Sequence, residues 1–358
     1  MATKTITIDL EAYERLKAHK RKNESFSQTI KRLVHARVDV EQKLRRLHRF
    51  TMDADAAEAV EDRLRRRESP WNSMNYVVGS FDLLGVSNAL CEFQLVPPDD
   101  AEAQKLGEVM GSALAAVCNF RRAFSQTVND FRTAWRQVTA AGGEAPTGSQ
   151  AMSALTDCHL GLDQFSDLVV VGGRLNSRDG RVSVWPALAI IVGSAVTMIR
   201  ALASGVPFRG GIEIGVGSDW PELELLGSAL VKAHRLEEGA AGWPRILVGK
   251  VTVEFVQSFR AQPQADHFGN LNRHFAKQAA SFVCRAGDGR LMVDFLGKAF
   301  ARRFLARPQR DEYCQLVQQA YQFVSSEVKR FRRNHDDKYA RRYEALQRYF
   351  RSRLPLWQ

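Results

Sequence analysis

Short apolar runs alternate with helical patterns between residues 74 and 250, and this alternation constrains the fold more than any other feature. Strand-like runs occur at 74–81, 161–165, 168–171, 209–215 and 245–248. Helical patterns lie between them, as two amphipathic helices over 101–140, one helix over 184–203 and one over 222–238. Strands interleaved with helices in this way predict an α+β protein whose helices pack against a sheet.

The flanking segments differ from this central region and suggest four parts. Residues 1–37 form a self-contained pattern, and 38–69 read as a helical linker, rich in Arg, Glu and Ala, that ends at Ser69-Pro70. Residues 70–251 hold the alternating region, with 101–140 as a helical insertion, and 252–358 are basic and mostly helical in pattern. The length of 358 residues allows two or three folding units of about 150 residues each.

Positive charge is concentrated at the two ends of the chain. The net charge is +11, with +7 in residues 1–50 and +8 in residues 301–358, so the middle of the chain is mildly acidic. Basic ends around an acidic body suit a nucleic acid, an anionic ligand, or simply solvated helices. Charge alone leaves these alternatives open.

Cysteine usage and hydropathy favour a cytoplasmic protein without a membrane anchor. The five cysteines are scattered and form no CxxC pair, which argues against a disulfide framework or a structural zinc site. No charged-then-apolar leader begins the sequence. The apolar run over 184–206 contains Pro186 and Arg200, so we expect a buried helix there and not a membrane span.

The first forty residues show a strand pattern followed by two helices. Residues 3–8 alternate polar and apolar side chains, as a short half-buried strand does. Asp9 stands where it can cap the first helix, and Ser25 where it can cap the second.

This segment, TITIDLEAYERLKAHKRKNESFSQTIKRLV, resembles the ribbon-helix-helix domain of VapB-type antitoxins. Such domains pair their strands into a ribbon that can lie in the major groove of DNA. The resemblance implies an outward face of Thr3, Thr5 and Thr7, with Lys4 close to phosphates. The alternative is a ribbon that only dimerises the chain.

Two aspartates stand at predicted strand ends. Asp82 follows an apolar strand and opens a glycine-containing turn, and Asp167 lies at the tip of a hairpin. If the two converge, their carboxylates suit Mg²⁺ or Mn²⁺, which prefer oxygen ligands. Backbone amides at the following helix start would then hold phosphate oxygens. Taken singly, each aspartate is a weak signal, because such residues more often cap a turn; the pair in this context is a stronger one.

The order of motifs over residues 74–250 resembles the class III nucleotidyl cyclases. Phe81-Asp82-Leu83-Leu84-Gly85-Val86-Ser87 is similar to the first metal motif, and Phe165-Ser166-Asp167 to the hairpin that carries the second metal carboxylate. The run from Arg209 to Gly215 is similar to the RxGIxxG strand, and the run from Gly227 to Glu237 to the GxxVNxAxRLE helix. The resemblance implies a ferredoxin-like cyclase sheet within the α+β class.

It also implies roles for particular residues. Asp82, Asp167 and the Leu83 carbonyl would bind two ions of Mg²⁺ or Mn²⁺ per active site, and Leu84, Gly85 and Val86 would contact phosphates. Arg235 matches the catalytic arginine, which comes from the second protomer, so the enzyme would be a homodimer with active sites at its interface. Val231 replaces the transition-state asparagine, whose hydrogen bond would be missing or supplied by Lys232 or His234.

Two further positions would read the nucleobase. The spacing of the family motifs aligns them with Asp163 and Glu224. Carboxylates accept hydrogen bonds, so they favour the amine of cytosine or the ring N–H of uracil. The alternative is that one or both make ordinary side-chain hydrogen bonds.

The hairpin QFSDLVVV, the RGGI strand and the C-terminal tail are similar to bacterial pyrimidine cyclases of Pycsar antiphage defence. This narrower resemblance implies conversion of UTP or CTP to the 3′,5′-cyclic monophosphate and pyrophosphate, as a second messenger in antiviral defence. The alternatives are a DNA-binding regulator with a non-catalytic nucleotide-binding domain, and a pseudo-enzyme scaffold.

Two features of the C-terminal region have simpler interpretations. Asp288-Gly289 and Asp294 are typical of a β-turn and a strand end, which indicates structural roles. The Arg/Lys run over 329–342, interleaved with aromatic residues, indicates a packed aromatic stripe with a solvated basic face, or a contact with nucleic acid.

Overall fold

The computed structural model describes residues 13–14, 17, 19–20, 24–29, 74–86, 90–91, 93, 99–141, 160–176, 180–220, 223–261, 266–306 and 308–358. The chain divides into two compact units, Met1–Trp71 and Asn72–Gln358. The division lies next to the Ser69-Pro70 boundary that the sequence suggests.

In the first unit, a helical turn begins at a reciprocal cap formed by Ser25 and Gln28. Ser25 Oγ accepts from the Gln28 N–H at 3.2 Å, and the Ser25 N–H donates to Gln28 Oε1 at 2.7 Å. This capping box confirms the cap predicted at Ser25. The Tyr13 and Phe26 rings pack with their centroids 5.3 Å apart. The predicted strand over 3–8 and the cap at Asp9 lie outside the described residues.

The described part of the second unit is organised around one eight-stranded, mostly antiparallel sheet, which makes the protein α+β. Its strands are β1 (Met74–Leu83), β2 (Leu160–Phe165), β3 (Leu168–Arg174), β4 (Phe208–Trp220), β5 (Leu223–Gly227), β6 (Ile246–Val248), β7 (Val283–Arg285) and β8 (Leu291–Val293). They lie in the order β2-β3-β1-β4-β6-β8-β7, and β5 pairs with β4 outside this path. The β4–β6 pair is parallel.

Helices connect the strands and follow the last of them. They are α1 (Asp100–Ala141), α2 (Trp185–Ala203), α3 (Ser228–Ala240), α4 (Lys250–Ala261), α5 (His267–Ser281), α6 (Lys298–Leu305), α7 (Arg310–Arg333) and α8 (Asp337–Arg353). A short 3₁₀ turn, Leu354–Leu356, follows α8.

The alternation of side chains along β1 assigns them to two different cores. Val77 and Phe81 face the large core, to which α1, α2 and the C-terminal helices contribute. Tyr76 and Val78 face a smaller core that contains residues of α3. Because successive residues of a strand point to opposite faces, Asp82 belongs to the α3 face of the sheet.

The region predicted to hold two helices over 101–140 is one helix of 42 residues, so that prediction was wrong. No proline interrupts α1, and Gly107 and Gly111 sit in open space where they do not break it. A buried stripe of apolar side chains runs along its middle from Ala116 to Phe131, and the helix packs against α2.

The prediction of a helix over 222–238 is wrong for the first third of that range. Residues 223–227 form β5, and α3 begins at Ser228. Buried and exposed side chains alternate here as they do in a strand, since Leu225 is 6% exposed whereas Leu226 is 67% exposed. Gly227, with φ of +149°, makes the turn from strand to helix.

The apolar run over 184–206 forms α2, a helix long and apolar enough by composition to cross a membrane. Most of it is buried within the protein, and it contacts α1 and α7. Pro186 stands in its first turn, where its missing N–H costs no hydrogen bond. The prediction of a buried helix is therefore confirmed.

The C-terminal region adds strands as well as helices, and the same sheet continues past the predicted boundary at residue 251. Met292 of β8 pairs with Leu247 of β6. Asp288 in the β7–β8 turn accepts from Arg245 at 2.7 Å, and this hydrogen bond lowers the pKa of Asp288. Asp294, after β8, accepts from Arg353 Nε at 3.0 Å. Both aspartates have the structural contacts expected of them.

The close approach of α3 to the sheet at Gly211 leads to a stability prediction. A Cβ at Gly211 would lie 2.3 Å from the Ala233 carbonyl oxygen and 2.7 Å from Leu236 Cβ. We expect Gly211→Ala to lower the free energy of unfolding by about 1–3 kcal/mol, because α3 must shift away from β4. Urea unfolding of the full chain measures this.

Gly239→Ala is the matched control on α3. A Cβ at Gly239 meets nothing within 4 Å. This variant should be as stable as the wild type or up to about 1 kcal/mol more stable, because alanine favours the helix. Equal urea midpoints for the two variants would contradict the packing of α3 on Gly211.

Candidate active site

A cavity of about 1310 Å³ opens where β1 ends. Its lining includes residues 82–86, Asp167 in the β2–β3 turn and Arg209 near the start of β4. Residues of α1, α3, α7 and α8 complete it. Both aspartates predicted to bind metal therefore line one cavity.

Main-chain hydrogen bonds hold Asp82, on β1, next to the turn that contains Asp167. Asp82 is paired with Leu168 in the β1–β3 ladder, and the Leu83 N–H donates to the Asp167 carbonyl at 3.1 Å. Ser166, with φ of +57°, forms the tight turn that precedes Asp167. The ladder thus brings together two residues that lie 85 positions apart in the sequence.

The turn after β1 lines the cavity with the three residues predicted to contact phosphate. The Leu84 N–H donates to the Pro207 carbonyl at 2.9 Å, so a phosphate contact by this amide requires that bond to open. Gly85 has φ of +95°, a conformation that glycine adopts without strain. Gly85 and Val86 line the same cavity.

The two carboxylates suit a divalent cation that also binds phosphate. Mg²⁺ is commonly held by one or two carboxylates and completes its shell with water and substrate oxygens. Within the described ranges, no group of three or more His, Cys, Asp or Glu side chains is placed to hold a metal ion. A site of this sparse kind needs no such group, so Asp82 and Asp167 fit the predicted ion.

A cluster of charged side chains, of which only Glu237 is fully buried, surrounds Asp82. Arg209 Nε donates to Asp82 Oδ2 at 2.9 Å and lies 2.9 Å from Glu237 Oε1. Glu237, with only 1% of its side chain exposed, also lies 3.0 Å from His234 Nδ1. Burial raises the pKa of Glu237, whereas Arg209 and His234 oppose the rise and Asp82 adds to it.

Sequence reasoning assigned no role to Arg209 or Glu237. The signal was present, because Arg209 begins the glycine-rich strand motif and Glu237 ends the helix motif. The structure shows why the two positions belong together: the arginine bridges a carboxylate on β1 and one on α3. In this arrangement Arg209 balances charge and orients Asp82.

The α3 residues that the sequence analysis singled out differ in whether they line the cavity. His234 lines the cavity, whereas Val231, Lys232 and Arg235 are exposed and do not line it. A role for Arg235 in this cavity of its own chain is therefore not supported by its position. Of the two side chains considered as substitutes for the missing asparagine, only His234 reaches the cavity in the described structure.

The two positions predicted to read the base lie on strands at some remove from the aspartates. Asp163 is paired with Val170 in the β2–β3 ladder, which assigns it to the α3 face of the sheet, and it does not line the cavity. Glu224 lies in β5, and its side chain is outside what the structure describes.

The α7–α8 pair contributes residues to the cavity that the sequence analysis placed on a packed stripe. Phe331 stacks with Tyr339 and Tyr343, with centroids 5.3 Å and 5.4 Å apart, so a packed aromatic stripe is present. The same residues, together with Arg330 and Arg342, line the cavity. Part of the basic face of the stripe therefore lines the same cavity as the two aspartates.

Comparison with known proteins identifies the N-terminal segment. Residues 2–49 match a family model described as a putative antitoxin of the VapB type. Over 40 residues the chain is 65% identical to the putative antitoxin VapB15 of Archaeoglobus fulgidus. The match covers 11% of this chain and 56% of that protein, so the chain spans about half the length of this relative. The predicted antitoxin resemblance is confirmed and extends past residue 37. The cyclase resemblance lies beyond the match.

The charge cluster predicts a large cost for removing Arg209. In Arg209→Ala the buried Glu237 carboxylate loses its cation, and we expect the free energy of unfolding to fall by about 3–5 kcal/mol. Adding Glu237→Gln to this variant should restore part of the loss. Urea unfolding of the single and double variants measures both effects.

Lys250→Ala is the control for this experiment. Lys250 and Glu254 form an exposed ion pair at 3.5 Å, which contributes at most about 1 kcal/mol. A loss in Arg209→Ala no larger than that in Lys250→Ala would show that the cluster does not stabilise the fold.

Proposed function

We propose that this protein is a metal-dependent nucleotide cyclase that uses a pyrimidine nucleoside triphosphate, UTP or CTP. The observation that carries the proposal is that Asp82, near the end of β1, and Asp167, in the turn just before the neighbouring strand β3, both line one large cavity. Two carboxylates at strand ends beside a glycine turn are suited to a divalent cation that carries phosphates.

The path of the chain through the sheet supports the proposal. β1, α1, β2, β3, α2 and β4 follow one another along the chain, and their strands lie in the order β2-β3-β1-β4. This is the β-α-β-β-α-β arrangement of ferredoxin-like folds, to which the cyclase resemblance points. Because a fold of this kind is compatible with many activities, the proposed activity rests on the residues of the site and not on the fold.

Asp82, Asp167 and the Leu83 carbonyl would hold Mg²⁺ or Mn²⁺, two ions per site. Bound ions of this kind activate a hydroxyl for in-line attack and neutralise a departing pyrophosphate. The chain's own contribution is to fix the positions of the two carboxylates through the β1–β3 ladder and to place Gly85 and Val86 on the lining of the same cavity, where their amides would contact phosphate. Arg209 must share Asp82 with any bound cation.

The position of Arg235 supports a homodimer. Arg235 is exposed on α3 and lies outside the cavity of its own chain. An arginine that stabilises the transition state in a second copy of the chain needs this exposure. The ribbon-helix-helix type of the N-terminal match supports dimerisation as well, because such domains pair their strands.

Base selection would rest on Asp163 and Glu224. Both are acceptors when ionised, which favours the N–H groups of cytosine or uracil over an acceptor edge. The product would be the 3′,5′-cyclic monophosphate, released with pyrophosphate into the cytoplasm as a second messenger of antiviral defence.

Nucleotide turnover tests the proposal directly. The purified full chain with Mn²⁺ should convert UTP or CTP to its cyclic monophosphate in a mass-spectrometric assay of all four triphosphates. Asp82→Asn and Asp167→Asn should each lower the rate at least about a hundredfold, because each loses a cation ligand.

The matched control is Asp130→Asn, an exposed position on α1 outside the cavity. It should keep the wild-type rate. Turnover that survives both active-site substitutions would reject the two-carboxylate site, and no turnover of any triphosphate by the wild type would reject the enzyme.

The antitoxin match favours a second candidate function, a DNA-binding regulator whose cyclase-like unit only binds nucleotide. It predicts duplex binding that weakens steeply with salt and is lost when residues 1–10 are deleted. Gel shifts across a salt series measure this for the full chain and the deletion.

Lys4→Ala should weaken duplex binding and reduce the magnitude of the salt slope by about one, whereas Lys250→Ala should change neither. Duplex binding that persists after the deletion would reject the N-terminal segment as the DNA contact.

A further inference from the structure

The α7–α8 pair forms one wall of the cavity that contains Asp82 and Asp167. From α7 the wall includes Arg330 and Phe331, and from α8 it includes Tyr339, Arg342 and Tyr343. These residues lie about 160 or more positions after Asp167 in the sequence, beyond the run of class III cyclase motifs over residues 74–250. Only the folding of the chain brings them to the same cavity as the aspartates.

Aromatic packing fixes this wall. Phe331 of α7 stacks between Tyr339 and Tyr343 of α8, and Tyr343 is buried. The burial raises the pKa of the Tyr343 hydroxyl. A side chain carried by these helices is therefore held against a packed surface and does not sit on a loose tail.

The cations in the cavity differ in how far they are already neutralised. Arg209 contacts Asp82 and Glu237, and Arg330 forms an ion pair with Glu327. Arg342 is half-buried, and in the described ranges no carboxylate lies within ion-pair distance of it. Its guanidinium carbon lies 5.2 Å from the centroid of the Tyr339 ring, which holds the group in place.

Arg342 is half-buried, has no carboxylate partner among the residues that the structure describes, and lines the same cavity as the two aspartates. An arginine in this position suits a polyanion that is bound together with a divalent cation. Guanidinium groups match phosphate oxygens in geometry and form strong charge-assisted hydrogen bonds with them. A cavity of about 1310 Å³ is larger than divalent cations need and accommodates a whole nucleotide.

We propose that Arg342 binds the polyphosphate chain of the nucleotide in the same chain's cavity. The inference rests on the proposed function in one respect, namely that a nucleoside triphosphate occupies this cavity. It extends that function by assigning triphosphate recognition to a C-terminal helix of the same chain. Arg342 acts as a binding residue and takes no part in proton transfer.

Binding of a base-free probe tests the assignment without requiring catalysis. Isothermal titration calorimetry with sodium tripolyphosphate and Mg²⁺ compares the wild type with Arg342→Ala, Arg342→Lys and Arg341→Ala, all as full chains. Arg341 is exposed on the same helix and does not line the cavity, which makes it the matched control.

We expect Arg342→Ala to raise the Kd for tripolyphosphate at least about tenfold, since a charge-assisted hydrogen bond is lost. Arg342→Lys should recover part of the affinity, because it keeps the charge but not the bidentate fork. Arg341→Ala should bind as the wild type does. With UTP or CTP as substrate, Arg342→Ala should raise KM by a similar factor and leave kcat within about threefold.

The outcomes separate this inference from the proposed function. Equal affinity for tripolyphosphate in Arg342→Ala and Arg341→Ala would overturn it, even if the protein is a cyclase. Selective loss in Arg342→Ala supports it, even if no nucleotide is cyclised. If the wild type binds no tripolyphosphate, the role of Arg342 is overturned. The turnover assay then still tests, independently, whether the protein is a cyclase. Matching urea midpoints for the variants exclude misfolding as the cause of any loss.

Discussion

The position of β1 between β3 and β4 is the constraint on which the site depends. Because β1 pairs with both neighbours, Asp82 lies beside Leu168 on one strand and Arg209 on the other. A one-residue slip in either register would turn Asp82 toward the large apolar core. The burial of Val77, Phe81 and Leu83 in that core opposes such a slip, so hydrophobic packing on one face fixes the charges on the other.

The Arg209 cluster shows how the fold accommodates charge beneath the cavity. Glu237 is buried, and without a nearby cation its desolvation would be costly. Arg209 serves both Glu237 and Asp82, so any cation that binds Asp82 must compete with an existing ion pair. The cluster therefore couples stability to metal affinity, and a change at Arg209 is expected to alter both.

Much of the sheet could be predicted because its strands carry short apolar runs with clear turn signals. The β2–β3 hairpin around Ser166-Asp167 and the buried helix α2 followed from such patterns. β5 could not, because Leu223–Gly227 is five residues long and its leucines suit a helix equally well. Arg209 and Glu237 remained unassigned because their contact joins positions that periodicity treats separately.

The C-terminal wall illustrates why charge along the sequence does not reveal where a cation acts. Residues 301–358 carry a net +8, and charge alone leaves solvated helices, a nucleic acid and an anionic ligand open for such a segment. Arg332 is of the solvated kind, since it is paired with Glu344 and Asp337 on the surface. Arg342 differs because the stacking of Phe331 with Tyr339 and Tyr343 sets the rotation of α8 about its axis. With α8 in this rotation, Arg342 lines the cavity and its neighbour Arg341 is exposed to solvent. Aromatic packing therefore determines which arginine lines the cavity, and the number of basic residues does not.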